Sequence, residues 1–313
     1  MAITMAGSVV VIGSSNVDFI IKTARLPEEG ETVSDGKFAQ SYGGKGANQA
    51  ITAARLGAAT WFVGCVGDDP FGSTMKKNFR KTGICIDHVA TSDNPTGAAL
   101  IMIGNEGRNL VAVAPGANHA LSPEMVRAAA TPIRHADMVI VQFEIRPKTL
   151  HASIDLAGDA GVPVLFNCAP VRPLDRLLLS RVDYLVINET EVEALSGMSA
   201  ATVGEAREAA LVLLENGPGT VIVTLGANGV LAVSGETDFH MPAFRVEAVD
   251  TTAAGDVFCG AVAVSLVGGA GLRDAVGFAQ AASALSVTRL GAQTSIPTRK
   301  EVEEFLLYAE SET

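Results

Sequence analysis

The sequence predicts an α/β protein whose mostly parallel sheet is covered by helices on both faces. Three observations carry that expectation. Helical and strand patterns alternate regularly from Leu121 onward, polar residues recur just past the ends of apolar strands, and several shorter, partly solvated strands fall outside that rhythm. Alternation of strand and helix implies crossover connections and a buried parallel sheet. Strands joined too closely for a crossover helix run antiparallel, so the odd strands belong to a small separate sheet.

In chain order, Ser8 to Ile12 is a short apolar strand ending at Gly13-Ser14-Ser15-Asn16-Val17-Asp18. Asn16 and Asp18 stand where open α/β sheets bind ligands; an Asx turn is the plainer use of the same residues. Val17 to Thr23 and Thr32 to Ser41 read as strands around the turn-rich Leu26-Pro27-Glu28-Glu29-Gly30. Tyr42-Gly43-Gly44-Lys45-Gly46-Ala47-Asn48-Gln49-Ala50 then puts a flexible backbone and one cation at the start of an Ala-rich helix to Leu56. It is not a Walker A loop, since Gly46 follows Lys45 and GxxxxGK[ST] occurs nowhere. Ala59 to Val66 is a buried strand, closed by Gly67-Asp68-Asp69-Pro70-Phe71-Gly72, and an amphipathic helix follows to Arg80. Thr96 to Ile103 and Arg108 to Val113, joined at Gly104-Asn105-Glu106-Gly107, form a hairpin. With 17–23 and 32–41 they make up the small sheet.

The regular part runs helix 122–133, strand Met138 to Gln142, helix 147–160 and strand Val162 to Phe166. It continues with strand Tyr184 to Ile187, helix 203–217 and strand Thr220 to Thr224. Short strands within 228–248 make an antiparallel margin, and helices at 254–267, 271–287 and 299–309 finish the chain. The strand exits carry Glu144, Asn167 with Pro170, Asn188 with Glu191, and Thr224 with Gly226. Their repetition along one sheet marks a single active edge. Asn188-Glu189-Thr190-Glu191 reads equally as a helix cap, and a carboxylate beside an anion site can orient hydrated Mg²⁺.

The most informative stretch is Val249-Asp250-Thr251-Thr252-Ala253-Ala254-Gly255-Asp256-Val257, where a strand end (FRVEAVD) enters an apolar helix through a small-residue turn. The backbone N–H groups at such a helix start bind anions. Asp250 and Asp256 bracket the turn, which suits a cation or a proton transfer, while a turn residue and a helix cap are the simpler roles.

Composition removes other classes. The chain has 313 residues, 48% of them hydrophobic, enough for one large domain with an embellishment. With 23 Lys and Arg against 34 Asp and Glu, the net charge of −11 argues against a nucleic-acid binder. No apolar run is long enough to span a membrane, and the opening MAITMAG lacks a basic signal region. Cys65, Cys85, Cys168 and Cys259 are irregularly spaced in apolar segments, which predicts free thiols and a reducing, cytoplasmic setting. His88, His119, His135, His151 and His240 form no zinc motif.

Taken together, GGKGANQA (43–50), NETE (188–191) and VDTTAAGDVFCGA (249–261) resemble the PfkB-type carbohydrate kinases. SSNVD (14–18), TLGANG (224–229) and VTRLGAQTSIP (287–297) extend the resemblance over essentially the whole chain. GGKGANQA resembles the ribokinase-like branch in particular, whereas the DTxAGD-type signature marks only the superfamily.

The resemblance implies a three-layer sandwich with a β-sheet lid that commonly forms a homodimer interface. It divides the chain into a core (1–15, 43–95 and 114–313) and a lid (16–42 and 96–113). It implies Asp256 as catalytic base, with Ala253, Ala254 and Gly255 forming the anion hole for the transferring phosphoryl group. Asn16, Asp18, Gly44, Lys45, Asn48 and Glu144 would contact a sugar. ATP would lie along Asn188, Thr224, Leu225, Gly226, Ala227, Asn228, Gly229, Gly255 and Gln280, the last often histidine in the family. Asn188 and Glu191 would hold Mg²⁺ through water. Asp250, Thr252, Ser286, Arg289, Gly291 and Ser295 would surround a K⁺ ion, largely through carbonyls.

The reaction so implied is ATP-dependent phosphorylation of D-ribose at O5. The alternatives are another pentose or hexose, a nucleoside, or a sugar-binding regulatory protein on the same scaffold. Aromatic content of only 5% argues against a base-stacking nucleoside site. The intact Asp256 and glycine turn argue against a binding-only protein.

Overall fold

The computed structural model describes residues 6–105, 109–173 and 175–311. β1 (Ala6–Ile12) leads into β2 (Asn16–Lys22) and β3 (Lys37–Gly43), and α1 (Lys45–Arg55) follows. Next come β4 (Ala58–Gly67), α2 (Pro70–Lys81), β5 (Val89–Ser92), β6 (Gly97–Ile103) and β7 (Asn109–Ala114). The alternating part contains α3 (Pro123–Ala128), α4 (Ala130–Arg134), β8 (Met138–Gln142), α5 (Pro147–Asp159), β9 (Val164–Asn167) and α6 (Arg176–Leu179). It goes on through β10 (Tyr184–Asn188), α7 (Glu189–Ser196), α8 (Val203–Leu214), β11 (Thr220–Thr224), β12 (Val230–Ser234) and β13 (Asp238–Met241). Four helices close the chain: α9 (Ala254–Val267), α10 (Leu272–Val287), α11 (Ala292–Ser295) and α12 (Arg299–Ser311).

The main sheet has nine strands in the order β13-β12-β11-β10-β9-β8-β1-β4-β5. β5, β4, β1, β8, β9, β10 and β11 are mutually parallel, and β12 and β13 form the expected antiparallel margin. Period-2 alternation sorts each central strand between two apolar layers. Val10, Ile12, Val139 and Val141 pack toward the layer of α3, α4, α5, α7 and α8, while Val9, Val11, Met138 and Ile140 pack toward that of α1, α2, α9, α10 and α12. Both layers are filled by Val, Ile, Leu, Ala and Phe side chains that are almost fully buried. None of the described helices is long and apolar enough to cross a membrane.

The second sheet, ordered β3-β2-β6-β7, contains the four strands set apart in the sequence. β6 and β7 are antiparallel as expected; Glu106, Gly107 and Arg108 of their connection lie outside the described residues, as does the opening Met1–Met5. Register places Asp18 beside Ser41 and Ala99, and Ile20 beside Ala39 and Ile101, on one face. Phe19 and Phe38 stack on the opposite face, with ring centroids 6.3 Å apart.

Several boundaries differ from the sequence reading for identifiable reasons. FRVEAVD is not a strand: after Pro242 the chain leaves the sheet, Phe244 packs on Phe305, and the Val249 and Asp250 N–H groups both donate to the Val287 carbonyl at 2.7 and 3.1 Å. The helix at 122–133 is two short ones broken at Ala129, because Pro132 has no N–H to continue the ladder. β9 begins after Pro163, helix 203–217 stops at Leu214, and the strand assigned to 32–41 occupies only its second half and runs on to Gly43. β5 is a four-residue edge strand too short to show a period. The four cysteines are free, three of them buried.

α1 and α9 cross in direct contact on one face of the sheet, and a glycine permits the approach. A Cβ at Gly260 would lie 2.7 Å from Thr52 Cβ and 2.9 Å from the Gln49 carbonyl. Gly260→Val is therefore expected to destabilise the protein by about 1–3 kcal/mol through overpacking, read as a lower urea midpoint. An unchanged midpoint would contradict this account of the α1–α9 contact.

Candidate active site

The strand order turns at one place. From β1 the chain first builds outward through β4 and β5, then returns to the other side through β8, β9, β10 and β11. In open α/β sheets, the crevice outside the carboxyl ends at such a point is where ligands bind. Here the exits of β1 and β8 bring together Ser14 and Glu144. Glu144 Oε2 accepts from the Ser14 hydroxyl and, at 3.0 Å, from the Lys45 N–H. The Ala47 N–H donates to the Ser14 carbonyl at 2.8 Å. The start of α1 is thus anchored on two strand ends. Gly44 caps that helix with φ of 89°, and a Cβ there would fall 2.7 Å from the Asn16 nitrogen. Only glycine fits both conditions.

Asp256 is the third residue of α9 and is 6% exposed. It is not a cap. Its Oδ2 accepts from Asn48 Nδ2 at 2.9 Å and its Oδ1 from Gln49 Nε2 at 3.0 Å. The cap position is Ala253, with φ of 63°, the one non-glycine residue with positive φ among the described residues. That left-handed conformation costs an alanine about 1–2 kcal/mol, a strain of the kind stored at functional turns. The first-turn N–H groups of Gly255 and Asp256 are among those a helix leaves without intrahelical partners. Gly255 and Asp256 line a cavity of about 240 Å³ together with Lys45, Asn167, Asn188, Glu191 and Thr224. Thr251 lines both this cavity and a wider cleft of about 1110 Å³ that runs beneath Ile20, Lys22 and Ile101 of the small sheet.

Asn16 and Asp18 both lie in β2, so neither forms the Asx turn considered for them. Asn16 Oδ1 accepts from Asn118 Nδ2 at 2.7 Å, and Asn118 Oδ1 in turn accepts from the Ser15 N–H at 2.9 Å. Asn188 and Glu191 form a reciprocal capping box, with both hydrogen bonds at 2.9 Å, so the cap reading applies while both residues also line the cavity.

Three carboxylates act on one cation, and a fourth, Asp18, lies beside two of them. Burial would lower the Lys45 pKa, but Asp256, Glu144 and Glu191 outweigh it and hold the ammonium above its ordinary value. Burial pushes Asp256 up; the Lys45 charge and the Asn48 and Gln49 hydrogen bonds pull it back without cancelling the rise. A helix N-terminus favours the anion, and desolvation outweighs that here. Glu191 is raised by burial against the Asn188 N–H and Lys45. Asp18 is raised to about 7, by burial first and then by Glu144 and Asp256.

Thr224 pairs with Asn188 across β10 and β11, and its chain continues through Leu225 into a 3-10 turn at Gly226–Asn228. Leu225 N–H donates to the Gly229 carbonyl at 2.8 Å, and Asn228 O meets His240 Nε2 at 2.6 Å. Gln280 Nε2 reaches the Met241 and Pro242 carbonyls at 3.3 and 3.4 Å, so this side chain ties α10 to the backbone beside the turn.

Behind the α9 turn, Asp250 is half-buried and acts as a tether. Its Oδ1 accepts from the Thr252 N–H and hydroxyl at 3.0 and 2.6 Å, and its Oδ2 from the Gly291 N–H at 2.9 Å. Those bonds hold its pKa below the ordinary value despite burial. Ser286 and Ser295 direct their hydroxyls to the Ser283 and Ala292 carbonyls, and Arg289 pairs with Glu301 at 2.7 Å. The side chains here are engaged with nearby backbone groups, with the Thr252 hydroxyl or with Glu301.

Sequence reasoning missed Ser14, Gln49, Asn118 and Gln142. Gln49 carried a signal, since Lys45, Asn48 and Gln49 share one helix face at i, i+3 and i+4. Gln142 and Asn118 carried none.

A profile described as pfkB family carbohydrate kinase matches residues 6–299. The chain is 40% identical over 306 residues to the ribokinase of Haemophilus influenzae, covering 97% of this chain and 100% of that one. It is 37% identical over 300 residues to the deoxyribokinase of Salmonella typhimurium, covering 95% and 98%. Among solved structures, Arabidopsis thaliana ribokinase complexed with ribose and ATP superposes with a TM-score of 0.90 at 35% identity, over 96% of this chain and 99% of that one.

Asp18 generates a stability prediction. In the folded protein it keeps its proton up to about pH 7, while an unfolded aspartate releases it near 3.8. Its favourable contribution is therefore complete below about pH 4 and is lost as pH rises toward 7. Asp18→Asn is expected to match the wild type near pH 4 and to be more stable at pH 8 by up to about 4 kcal/mol, measured by urea unfolding at both pH values. A difference independent of pH would contradict the assignment.

Proposed function

Since this chain belongs to the pfkB family of carbohydrate kinases, we propose that it transfers the γ-phosphoryl group of ATP to O5 of D-ribose. The observation that carries the reading is Asp256, buried, held by two amides, and placed three residues past the strained Ala253 that opens α9. Asp256 takes the proton of the primary hydroxyl as O5 attacks phosphorus. The O5–P bond forms, the bond from phosphorus to the ADP oxygen breaks, and ADP leaves. Phosphoryl transfer asks an enzyme mainly for positioning and charge stabilisation. The Ala253–Gly255 backbone at the α9 N-terminus serves the γ-phosphoryl oxygens. The upward shift of Asp256 makes it a better proton acceptor than an exposed aspartate.

Asn16, Asp18, Gly44, Lys45, Asn48 and Glu144 hold the sugar. Asn48 still has its Oδ1 buried without a protein donor among the described residues, an acceptor suited to a sugar hydroxyl. Asn188, Thr224 to Gly229, Gly255 and Gln280 form the nucleotide side. The surplus of carboxylates over the single Lys45 requires a divalent cation before a triphosphate can approach. Glu191 and Asn188 offer the hard oxygen donors that Mg²⁺ takes through water, and the ion supplies neutralisation of phosphate charge. The carbonyls around Asp250, Thr252, Ser286, Arg289, Gly291 and Ser295 suit K⁺, whose charge behind the turn strengthens the anion hole.

The small sheet (16–42 and 96–113) is the lid over the core (1–15, 43–95 and 114–313), excluding water as it closes. Phe38, Leu100 and Leu110 are about half exposed or more on it, an apolar surface suited to a homodimer. Register puts Ile20, Ile101 and Val111 on the same face as Asp18. Among the described residues of the sheet that face carries no aromatic ring to stack on a base, which favours a free sugar over a nucleoside. Deoxyribose is the second reading, supported by the 37% identity to a deoxyribokinase.

The test is ADP release with ribose, deoxyribose, fructose and adenosine, with and without K⁺, and phosphorus NMR of the product. Ribose is expected to be preferred, to carry phosphate on C5, and to turn over faster in K⁺ than in a large organic cation. Preference for adenosine would overturn the sugar assignment, and equal rates in both cations would overturn the K⁺ site.

A further inference from the structure

The amides around Asp256 all point their hydrogens the same way. Gln142, the last residue of β8, donates from Nε2 to Gln49 Oε1 at 2.6 Å. Gln49 donates from Nε2 to Asp256 Oδ1 at 3.0 Å and to Asn167 Oδ1 at 3.2 Å. Both glutamines are fully buried. The direction is dictated chemically, because an ionised carboxylate only accepts. Asp256 makes Gln49 present its NH₂, so Gln49 turns its oxygen to Gln142, and Gln142 must in turn present its own NH₂. The chain ends at Gln142 Oε1, which is buried without a protein donor among the described residues. It lies against Gly13, where a Cβ would come within 2.0 Å of that oxygen, and whose N–H is already given to the Val63 carbonyl. Asn48 repeats the pattern, with its NH₂ on Asp256 and its Oδ1 unpartnered.

A polar cluster assembled only for stability would satisfy both ends of its amides, since an unpaired buried acceptor is destabilising. Here the unsatisfied ends lie away from the carboxylate, and Asn48 and Gln49 each direct an N–H to it, Gln49 with Gln142 behind it. We propose that Gln142 and Gln49 are positioning residues that form a one-directional relay, fixing the orientation of the Asp256 carboxylate for proton transfer. Gln142 acts only through Gln49, and Gln49 acts only through the Asp256 carboxylate it bonds. The relay joins the exit of β8 to the start of α9 through α1, so the turn that receives the phosphoryl group and the carboxylate that receives the proton are aligned by one chain of bonds. The charged or titratable groups facing Asp256 are Lys45 of α1, Glu144 beyond β8, Glu191 of α7, Asp18 of β2, and Cys259 on its own helix. None of them takes part in the relay. The inference rests on the reading of Asp256 as the base.

Gln142→Glu tests it, because the substitution keeps the size and reverses the polarity. A carboxylate at 142 draws the Gln49 NH₂ toward itself and turns the Gln49 oxygen onto Asp256. The expected result is a fall of about tenfold or more in kcat with little change in KM for the sugar, and an acid limb of the kcat profile moved up by about one pH unit. Gln142→Met, which leaves Asp256 alone to orient Gln49, is expected to keep an acid limb close to that of the wild type. If Gln142→Glu does not fold, Gln49→Met removes the same donor and is expected to move the limb upward as well. An acid limb unmoved in every folded variant overturns the relay, as does an equal shift in Gln142→Met and Gln142→Glu. Asp256→Asn, assayed in parallel, separates the two readings. Full turnover by that variant removes the base itself, whereas its inactivity beside an unmoved limb in Gln142→Glu removes only the relay.

Discussion

The site depends on one buried carboxylate being received by amide side chains from a neighbouring helix. Asp256 can sit 6% exposed at the start of α9 only because Asn48 and Gln49 of α1 reach its two oxygens. That contact demands close approach of two helices, and Gly260 against Thr52 permits it. The position of α1 is set in turn by Glu144 and Ser14, so the exits of β8 and β1 fix the helix that holds the carboxylate. Sheet topology, helix packing and the proposed chemistry are therefore one mechanical unit. A shift of either helix would leave an unpaired carboxylate in the interior, which is among the more destabilising defects a protein can carry.

Electrostatics give the unit its character. Glu144, Glu191 and Asp256 act on Lys45, Asp18 lies beside Glu144 and Asp256, and burial raises Asp18, Glu191 and Asp256 above ordinary carboxylate values. Such a cluster is under tension before any ligand arrives. In the proposed reaction, sugar hydroxyls and a cation-bound nucleotide would relieve it by supplying donors and positive charge. The strained Ala253 belongs to the same unit, since its left-handed backbone starts α9 at the wall of the cavity.

Much of this was legible in the sequence. Apolar runs such as VVVI and MVIV announced parallel strands, and polar residues at successive strand exits converged on one edge because parallel strands end on the same side of a sheet. Glycines at 44 and 255 marked the two helix starts. What stayed hidden was whatever depends on partners far apart in the chain. Gln142 sits 93 residues from Gln49, and Asn118 sits 102 residues from Asn16; no local pattern joins them. FRVEAVD looked like a strand by composition, yet its backbone partner is the Val287 carbonyl at the end of α10. The φ of Ala253 was equally invisible, because alanine gives no sign of a left-handed residue. The upward shift of Asp256 was invisible too, since desolvation is set by the whole fold.

The central claim is that Asp256 accepts the proton of the sugar's primary hydroxyl during phosphoryl transfer. Its most direct test is single-turnover transfer by Asp256→Asn, with ribose and MgATP binding measured separately by calorimetry. Asparagine keeps the shape but cannot take the proton, so both ligands are expected to bind within a few-fold of the wild type while transfer falls by about 10²–10⁴. Transfer at near wild-type rate with binding intact would contradict the account.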